Sequence, residues 1–187
     1  MTKADKVLGE IEKIATESPP HTMPIIGKEK GAVLENVSKK NQPKAVLEIG
    51  TLVGYSAILM AKNLKKGKII SIEINTKNAS AAKLNIERAG LSNTVEVING
   101  DALEIIPTLE GLFDLVFIDA KKEDYFKYLK VVEPKLTRNA IVVADNVKRF
   151  EIQMSDFLEY VRNSGKYKSE TYDFGADAVE VSTKVRI

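Results

Sequence analysis

Residues 45–56 read AVLEIGTLVGYS, an apolar run that contains one acid and leads into two glycines four residues apart. The apolar run is typical of a buried strand, and Gly50 and Gly54 allow a tight turn and the close approach of a ligand. The helical pattern from Tyr55 onward offers unpaired N–H groups at its start. Alternatively, the two glycines have only a structural role, in a tight turn that packs closely against the following helix. The segment lacks the three glycines of the dinucleotide pattern G-x-G-x-x-G.

The same alternation of apolar run and helical pattern continues along the chain. Five such pairs predict an α/β fold, with a parallel sheet covered by helices on both faces. The predicted strands are 45–49, 68–72, 95–98, 113–118 and 140–144, and the predicted helices are 55–63, 77–89, 102–107, 124–135 and 153–163. Residues 137–139 look like a turn before the fifth strand. Two further runs, 167–174 and 178–185, predict a hairpin that makes the sheet mixed.

The first 44 residues follow a different pattern from the rest. Helical patterns at 1–18 and 31–40 are separated by a proline-rich break at 18–24. We expect these helices to cover the site, and residues 45–187 to form the core of a single domain that spans 1–187. His21 lies in the break, where a surface or capping role is expected.

Composition narrows the class of protein. A net charge of only +2 on 187 residues predicts no general attraction to nucleic acid or to a membrane surface. The basic residues are mostly lysine, which disfavours a nucleic-acid reader. The lack of cysteine excludes disulfides, thiolate nucleophiles and zinc–thiolate sites. No apolar run reaches the roughly 20 residues of a membrane span. Residues 1–18 lack the apolar segment of a signal peptide, so we expect a cytoplasmic protein.

The residues just after each strand are the candidates for ligand binding, because ligands of open α/β sheets bind beyond the carboxyl ends of the strands. Glu73 can bind both hydroxyls of a ribose, in a nicotinamide or an adenosyl cofactor alike. It can also be a solvated carboxylate. Asp101 can accept a hydrogen bond from an adenine amino group, or it can only cap the next helix.

The ends of the fourth and fifth strands carry a set of oxygen ligands. These strands should be neighbours, which would bring together Asp119, Asp145 and Asn146. Two carboxylates and an amide oxygen suit Mg²⁺, Mn²⁺ or Ca²⁺. Without a cation, the two carboxylates would repel each other. Lys122 follows closely, and a nearby cation would favour its neutral amine as a general base. Separate helix caps and a surface lysine are the alternatives.

These segments together resemble the cation-dependent O-methyltransferases, the family of catechol and caffeoyl-CoA O-methyltransferases, and the catechol branch most. Residues 46–56 are similar to the first cofactor motif of that family, and 117–125 and 144–147 resemble its two metal motifs. The likeness also includes 27–31 and 156–162, and it covers nearly the whole chain after about residue 22.

The resemblance implies a Rossmann-like class I fold that binds S-adenosylmethionine (SAM), with a seven-stranded mixed sheet, a C-terminal antiparallel hairpin and extra N-terminal helices. It implies that Asp119, Asp145 and Asn146 bind Mg²⁺ and that Lys122 takes the proton of the acceptor hydroxyl. Lys122, Asn146 and Asp177 would contact the substrate, a small molecule with vicinal hydroxyls. The implied cofactor-binding residues are Ile26, Glu48, Gly50, Thr51, Gly54, Tyr55, Ser56, Glu73, Ile74, Gly100, Asp101, Ala102 and Asp119.

The chain departs from the catechol enzymes at the mouth of the substrate site. Thr22 and Lys121 stand where those enzymes place tryptophans, and the loop 147–155 carries Lys148 and Arg149 in place of a proline gate. A larger, more polar or anionic acceptor is therefore compatible with the sequence. Three other functions remain open: a methyltransferase for RNA, protein or another non-catechol acceptor, a nicotinamide dehydrogenase, and a module that binds SAM without chemistry. The protein is expected to be a monomer or a homodimer.

Overall fold

Seven strands form one mixed sheet in the computed structural model of this chain, which describes residues 1–19 and 22–185. The strands are β1 (Ala45–Ile49), β2 (Lys68–Glu73), β3 (Val95–Asn99), β4 (Phe113–Ile118), β5 (Leu136–Ala144), β6 (Tyr167–Asp173) and β7 (Ala178–Lys184). Their order is β3-β2-β1-β4-β5-β7-β6, with β1 to β5 parallel and β7 antiparallel to both of its neighbours. The predicted Rossmann-like sheet with a C-terminal hairpin is confirmed. His21, with its predicted surface or capping role, lies outside the described residues.

Helices cover both faces of the sheet. They are α1 (Lys3–Glu17), α2 (Gly27–Asn41), α3 (Tyr55–Ala61), α4 (Thr76–Arg88), α5 (Ala102–Thr108), α6 (Tyr125–Val132) and α7 (Ser155–Asn163). Apolar side chains of α1 to α4 form one core with the sheet, and those of α5 to α7 form another on the opposite face. Within the described residues, no helix is long and apolar enough to cross a membrane.

The N-terminal helices pack beside the first core. α1 buries Val7, Leu8 and Ile11 against α3 and α4. α2 packs on α3 through Leu34, and it begins at Gly27, four residues earlier than the sequence predicted. Because of this early start, the first turn of α2 reaches the carboxyl ends of the strands.

One predicted turn was wrong. Residues 137–139 belong to β5, which begins at Leu136 instead of residue 140. The pairing register with β4 shifts between Phe113 and Leu115, and Asn139 takes a left-handed φ of 64°. Asparagine tolerates this conformation, and a bulge of this kind interrupts the alternation that marks a strand in sequence.

The topology opens a crevice between β1 and β4. The helix after β1 lies on one face and the helix after β4 on the other, which is the arrangement at which open α/β sheets bind ligands. In the register of the sheet, Ile49 of β1 is opposite Ile118 of β4, and Ile118 is opposite Ala144 of β5. The residues that follow these three strands therefore emerge side by side.

Candidate active site

A cavity of about 820 Å³ lies over the carboxyl ends of the parallel strands. Its walls come from the start of α2, the β1–α3 turn, and the segments that follow β2, β3, β4 and β5. The predicted site residues all line this cavity, with the exception of Glu48 and Gly54.

Gly50 lets the turn after β1 pass beside the end of β4. Its φ is +95°, and a Cβ at this position would collide with the carbonyl oxygen of Asp119. Gly54, with φ of +87°, is the N-cap of α3. A Cβ added at Gly54 would lie 3.4 Å from Ala82, so the backbone packs closely on α4 there. Gly50 thus shapes the cavity wall, whereas Gly54 supports it from behind.

Glu73 organises the same turn. Its Oε2 accepts hydrogen bonds from the N–H groups of Thr51 (3.2 Å) and Leu52 (2.8 Å), and its Oε1 accepts one from Asn75 (2.8 Å). A carboxylate has about four acceptor positions, so one remains for a ligand hydroxyl. Glu73 is buried, so it is not the solvated carboxylate that the sequence left open. It fixes the loop against which a ribose would lie.

Glu48 lies behind the turn and is fully buried. Its Oε2 accepts a hydrogen bond from the hydroxyl of Ser71, whereas its Oε1 has no partner among the described residues. Burial, with smaller contributions from Asp119 and Glu73, raises the pKa of Glu48 to about 7. Hydrogen bonds from Ser56 and Ser71 oppose this rise in pKa, and Glu48 does not line the cavity, so it supports the turn from behind.

The far end of the cavity combines an apolar surface with a capping carboxylate. Ile74 follows β2, lines the cavity and is 70% exposed. Asp101 lines the cavity with Gly100 and Ala102, and its Oδ1 accepts the N–H of Leu103 at 2.8 Å. Asp101 therefore caps α5, and its second oxygen remains for a ligand such as an adenine amino group.

Lys122 is held inside the site and is not a surface lysine. Its side chain is 16% exposed, and its Nζ lies 2.8 Å from Oδ1 of Asp119. The Nζ also donates to the hydroxyl of Tyr125 at 2.9 Å, and that hydroxyl donates to the carbonyl of Asp145 at 3.2 Å. Burial raises the pKa of Tyr125 well above its ordinary value, so the phenol stays neutral. The sequence analysis gave no role to Tyr125, which orients the amine of Lys122.

Asp145 and Asn146 follow β5 next to Asp119. The pairing of Ile118 with Ala144 places Asp119 and Asp145 side by side. Burial, and then the negative charge of Asp119, raise the pKa of Asp145 above its ordinary value. Asn146 takes a left-handed φ of 65°, and its backbone N–H donates to Oδ1 of Asp145 at 2.8 Å. Its side-chain amide donates to Asp177 at 2.7 Å, so its amide oxygen remains as a possible metal ligand.

The donor chemistry of this set suits a hard divalent cation. The described residues contain no cluster of three or more His, Cys, Asp or Glu side chains arranged around a metal position. The set consists instead of two carboxylates and one amide oxygen. Mg²⁺ accepts such a small protein set because it keeps waters or substrate oxygens in its other positions.

Lys30 reaches the same carboxylates from the first turn of α2. Its Nζ lies 2.7 Å from Oδ1 and 2.8 Å from Oδ2 of Asp145, and 2.8 Å from Oδ2 of Asp177. Burial opposes ionisation of Asp177, but the hydrogen bonds from Lys30 and Asn146 outweigh it and lower the pKa of Asp177. Sequence reasoning missed Lys30, since the contact with Asp145 joins residues 115 positions apart.

The mouth of the cavity is cationic and partly aromatic. Arg149 and Phe150 both line it, with the guanidinium carbon 5.6 Å from the ring centre. Within the described ranges, the guanidinium has no carboxylate partner, whereas Lys148 pairs with Asp173 at 2.7 Å. Lys121 lines the mouth and pairs with Asp124 at 3.0 Å, and Thr22 does not line the cavity. Phe150 is an aromatic wall that the sequence analysis did not identify.

Comparison with known proteins assigns the family. The family model for O-methyltransferase matches residues 2–155, and the chain belongs to that family. Catechol O-methyltransferase of Mycobacterium tuberculosis is 44% identical over 110 residues, which are 58% of this chain and 50% of that protein. Catechol O-methyltransferase of Sus scrofa is 32% identical over 151 residues, 76% of this chain and 80% of that protein. The family excludes a nicotinamide dehydrogenase.

A solved structure shares the fold over nearly the whole chain. The O-methyltransferase TomG from Streptomyces achromogenes, in complex with SAM, is 26% identical with a TM-score of 0.87, covering 97% of this chain and 91% of TomG. In sequence, the chain spans about half the length of the first curated relatives it matches, between 50% and 57%.

Glu48 gives the free protein a testable dependence on pH. Its folded pKa of about 7 lies above the ordinary value of 4.5, so its contribution to stability is present below pH 4.5 and is lost as pH rises through about 7. Glu48→Gln removes this loss. The free energy of unfolding of Glu48→Gln minus that of wild type should therefore increase from about pH 5 to about pH 8, by up to about 3 kcal/mol.

Urea denaturation of both proteins at the two pH values, without ligand, measures this difference. The matched control is Glu96→Gln, at an exposed position of β3, whose difference from wild type should be the same at both pH values. A Glu48→Gln protein that differs from wild type by an equal amount at both pH values would contradict the assignment.

Proposed function

We propose that this chain is a SAM-dependent and divalent-cation-dependent O-methyltransferase that methylates a hydroxyl of a small molecule with vicinal hydroxyls. The observation that carries the proposal is the convergence of Asp119, Asp145, Asn146 and Lys122 at one end of the cavity. The other end has the glycine turn and Glu73, which suit an adenosyl cofactor. The family, and relatives named catechol O-methyltransferase, support the same function.

The cofactor end fits SAM by shape and by charge. When bound, SAM supplies a methyl group that its sulfonium has already activated. Glu73 would accept a hydrogen bond from one ribose hydroxyl, Asp101 would accept one from the adenine amino group, and Ile74 would pack on the purine. Gly50 lets the methionine end approach the backbone of the turn after β1.

The other end fits a cation and an acceptor. Asp119, Asp145 and Asn146 would hold Mg²⁺, or Mn²⁺ or Ca²⁺, which when bound acts as a Lewis acid on the acceptor hydroxyl. Nζ of Lys122 would take the proton of that hydroxyl, while Asp119 and Tyr125 hold the amine in position. Asp177 would accept a hydrogen bond from the second hydroxyl of the acceptor.

Alignment and exclusion of water are the remaining tasks of the protein. Pro24, Ile25 and Ile26 close the cavity from the N-terminal side, next to the first turn of α2. Two reactants that are held in the right orientation react as if they were one molecule. In favourable cases this lowers the barrier by up to about 7–11 kcal/mol. A module that only bound SAM would not need the paired arrangement of Lys122 and Asp119.

Lys122→Met provides a test of the proposed base. The variant should lose at least about 100-fold in kcat, because it lacks the group that takes the proton. Its affinity for SAM, measured by calorimetry, should stay within about two-fold of wild type, since Lys122 lies at the acceptor end. Transfer of a labelled methyl group to 3,4-dihydroxybenzoate measures kcat.

Lys127→Met is the matched control. Lys127 is 64% exposed, pairs with Asp124 at 2.6 Å and does not line the cavity. It should keep a kcat near that of wild type. If Lys122→Met keeps full turnover with SAM and Mg²⁺ bound, Lys122 is not the base.

The cationic mouth favours an anionic acceptor. Arg149 lines the cavity next to Phe150 and has a guanidinium without a carboxylate partner in the described part of the chain. Arg149→Met should therefore lower kcat/KM for 3,4-dihydroxybenzoate by about ten-fold, the loss of roughly one charge-assisted hydrogen bond. For 4-methylcatechol, which carries no charge, it should change kcat/KM by less than about two-fold.

Steady-state kinetics with the two acceptors measure this difference. Lys148→Met is the control, because Lys148 is already paired with Asp173 and does not line the cavity. Equal losses with the charged and the neutral acceptor in Arg149→Met would show that Arg149 does not read the charge of the acceptor.

A further inference from the structure

Lys30 is a charged group at the acceptor end of the cavity to which the proposed reaction gives no task. Its ammonium contacts both carboxylate oxygens of Asp145 and one of Asp177, at 2.7 to 2.8 Å. Its side chain is only 16% exposed, and that of Asp145 is 2% exposed. Three short contacts in the interior mark a built arrangement, because surface lysines rarely keep such geometry.

The position of Lys30 on its helix is unfavourable by itself. It belongs to the first turn of α2, where unpaired N–H groups already carry partial positive charge and disfavour a cation. Burying an ammonium also costs free energy unless it is paired. The two carboxylates therefore hold the side chain in place. Lys28, two residues earlier on the same helix, is 78% exposed and pairs with Glu12 at 3.0 Å.

The contacts of Lys30 bear directly on the proposed cation position. Both oxygens of Asp145 are engaged by the ammonium, and Oδ1 also accepts the N–H of Asn146. A carboxylate has acceptor positions left after these bonds. A divalent cation that used one of them would nevertheless lie close to the ammonium, and the two positive charges would repel strongly at that distance.

We propose that Lys30 is a built-in competitor for the divalent cation. Its ammonium neutralises Asp145 and Asp177 when no cation is bound, and it moves away from Asp145, toward Asp177, when a cation binds. The inference rests on the proposed cation site. It assigns to Lys30 the task of keeping the carboxylates in place while weakening the binding of the cation.

The competition also links the cation to the wall of the cavity. Lys30 lies four residues after Ile26, which together with Pro24 and Ile25 lines the N-terminal side. A ligand that binds one of two arrangements more tightly shifts the population toward it. Binding of the cation should therefore change the environment of this segment as well as that of Lys30.

A purely structural role for Lys30 predicts the opposite effect on the cation. If the ammonium only held Asp145 in the correct orientation, its removal would loosen a metal ligand and weaken binding. The affinity for the metal alone, measured without acceptor or turnover, therefore separates the two roles.

The experiment is a calorimetric titration of the full chain with MgCl₂, in the presence of saturating SAM. Lys30→Met should bind Mg²⁺ at least about five-fold more tightly than wild type, because the repelling charge is gone. Lys28→Met, the matched control on the same helix, should bind as wild type does. Lys30→Arg keeps the charge and should return the affinity to within about two-fold of wild type.

Thermal unfolding provides a second readout. Without Mg²⁺, Lys30→Met should have a lower melting temperature than wild type, since Asp145 and Asp177 lose their counter-charge. Saturating Mg²⁺ should raise the melting temperature of Lys30→Met more than that of wild type. If Lys30→Met does not fold, the comparison of Lys30→Gln with Lys30→Arg tests the same difference in charge.

The outcomes separate this inference from the proposed function. Tighter binding in Lys30→Met supports the competition. Equal or weaker binding overturns it, and leaves the cation site intact. Binding of Mg²⁺ to Lys30→Met but not to wild type would support the competition and overturn the dependence of the natural enzyme on a cation. Binding to neither protein, while SAM still binds, would overturn both.

Discussion

The repulsion between two carboxylates organises this site. The register of the sheet places the ends of β4 and β5 side by side, so Asp119 and Asp145 emerge next to each other in a largely buried position. Like charges in a medium of low polarity must be neutralised. Lys122 pairs with Asp119 three residues before it, and Lys30 pairs with Asp145 and so brings the first turn of α2 to this point. The proposed cation would supply further positive charge to the same two carboxylates.

The acidity of the cavity extends beyond that pair. Glu73 and Asp101 lie at the cofactor end, Asp177 lies at the acceptor end, and buried Glu48 lies just behind the wall. A cavity with this excess of carboxylates favours cationic ligands. SAM carries a sulfonium and an ammonium, and Mg²⁺ carries two charges, so the two proposed ligands share the property that the cavity selects. Arg149 at the mouth is the contrasting element, since it favours an acceptor with a negative group.

Sequence periodicity and the strand-end rule were sufficient for the parts of the molecule that depend on local order. The alternation of apolar runs and helical patterns predicted the strands, and the rule that ligands bind at carboxyl ends led to Glu73, Asp101, Asp119, Asp145 and Asn146. Glu48 and Gly54 were predicted to bind the cofactor but do not line the cavity, and the sequence pattern does not distinguish them from residues that do. A strand-end acid and a turn glycine look alike in sequence whether they face the ligand or support the residues that do.

The features that sequence reasoning missed depend on long-range contacts or on irregular backbone. Lys30 meets Asp145 across 115 residues. The family resemblance includes 27–31, but the sequence does not distinguish the role of Lys30 from that of Lys28 in the same segment. Phe150 lies in a loop, where no period separates a cavity wall from a surface aromatic. The turn expected at 137–139 is a bulge inside β5, because a single asparagine with positive φ imitates the composition of a loop.

The measurement that tests the role of the carboxylate pair most directly is methyl transfer from SAM to a panel of catechols, with Mg²⁺ and after addition of a chelator, alongside calorimetric binding of SAM. We predict that SAM binds in both conditions and that transfer occurs only with the cation, returning when Mg²⁺ is added back. Transfer that continues undiminished in chelator would contradict the assignment of Asp119, Asp145 and Asn146 as the ligands of a required cation.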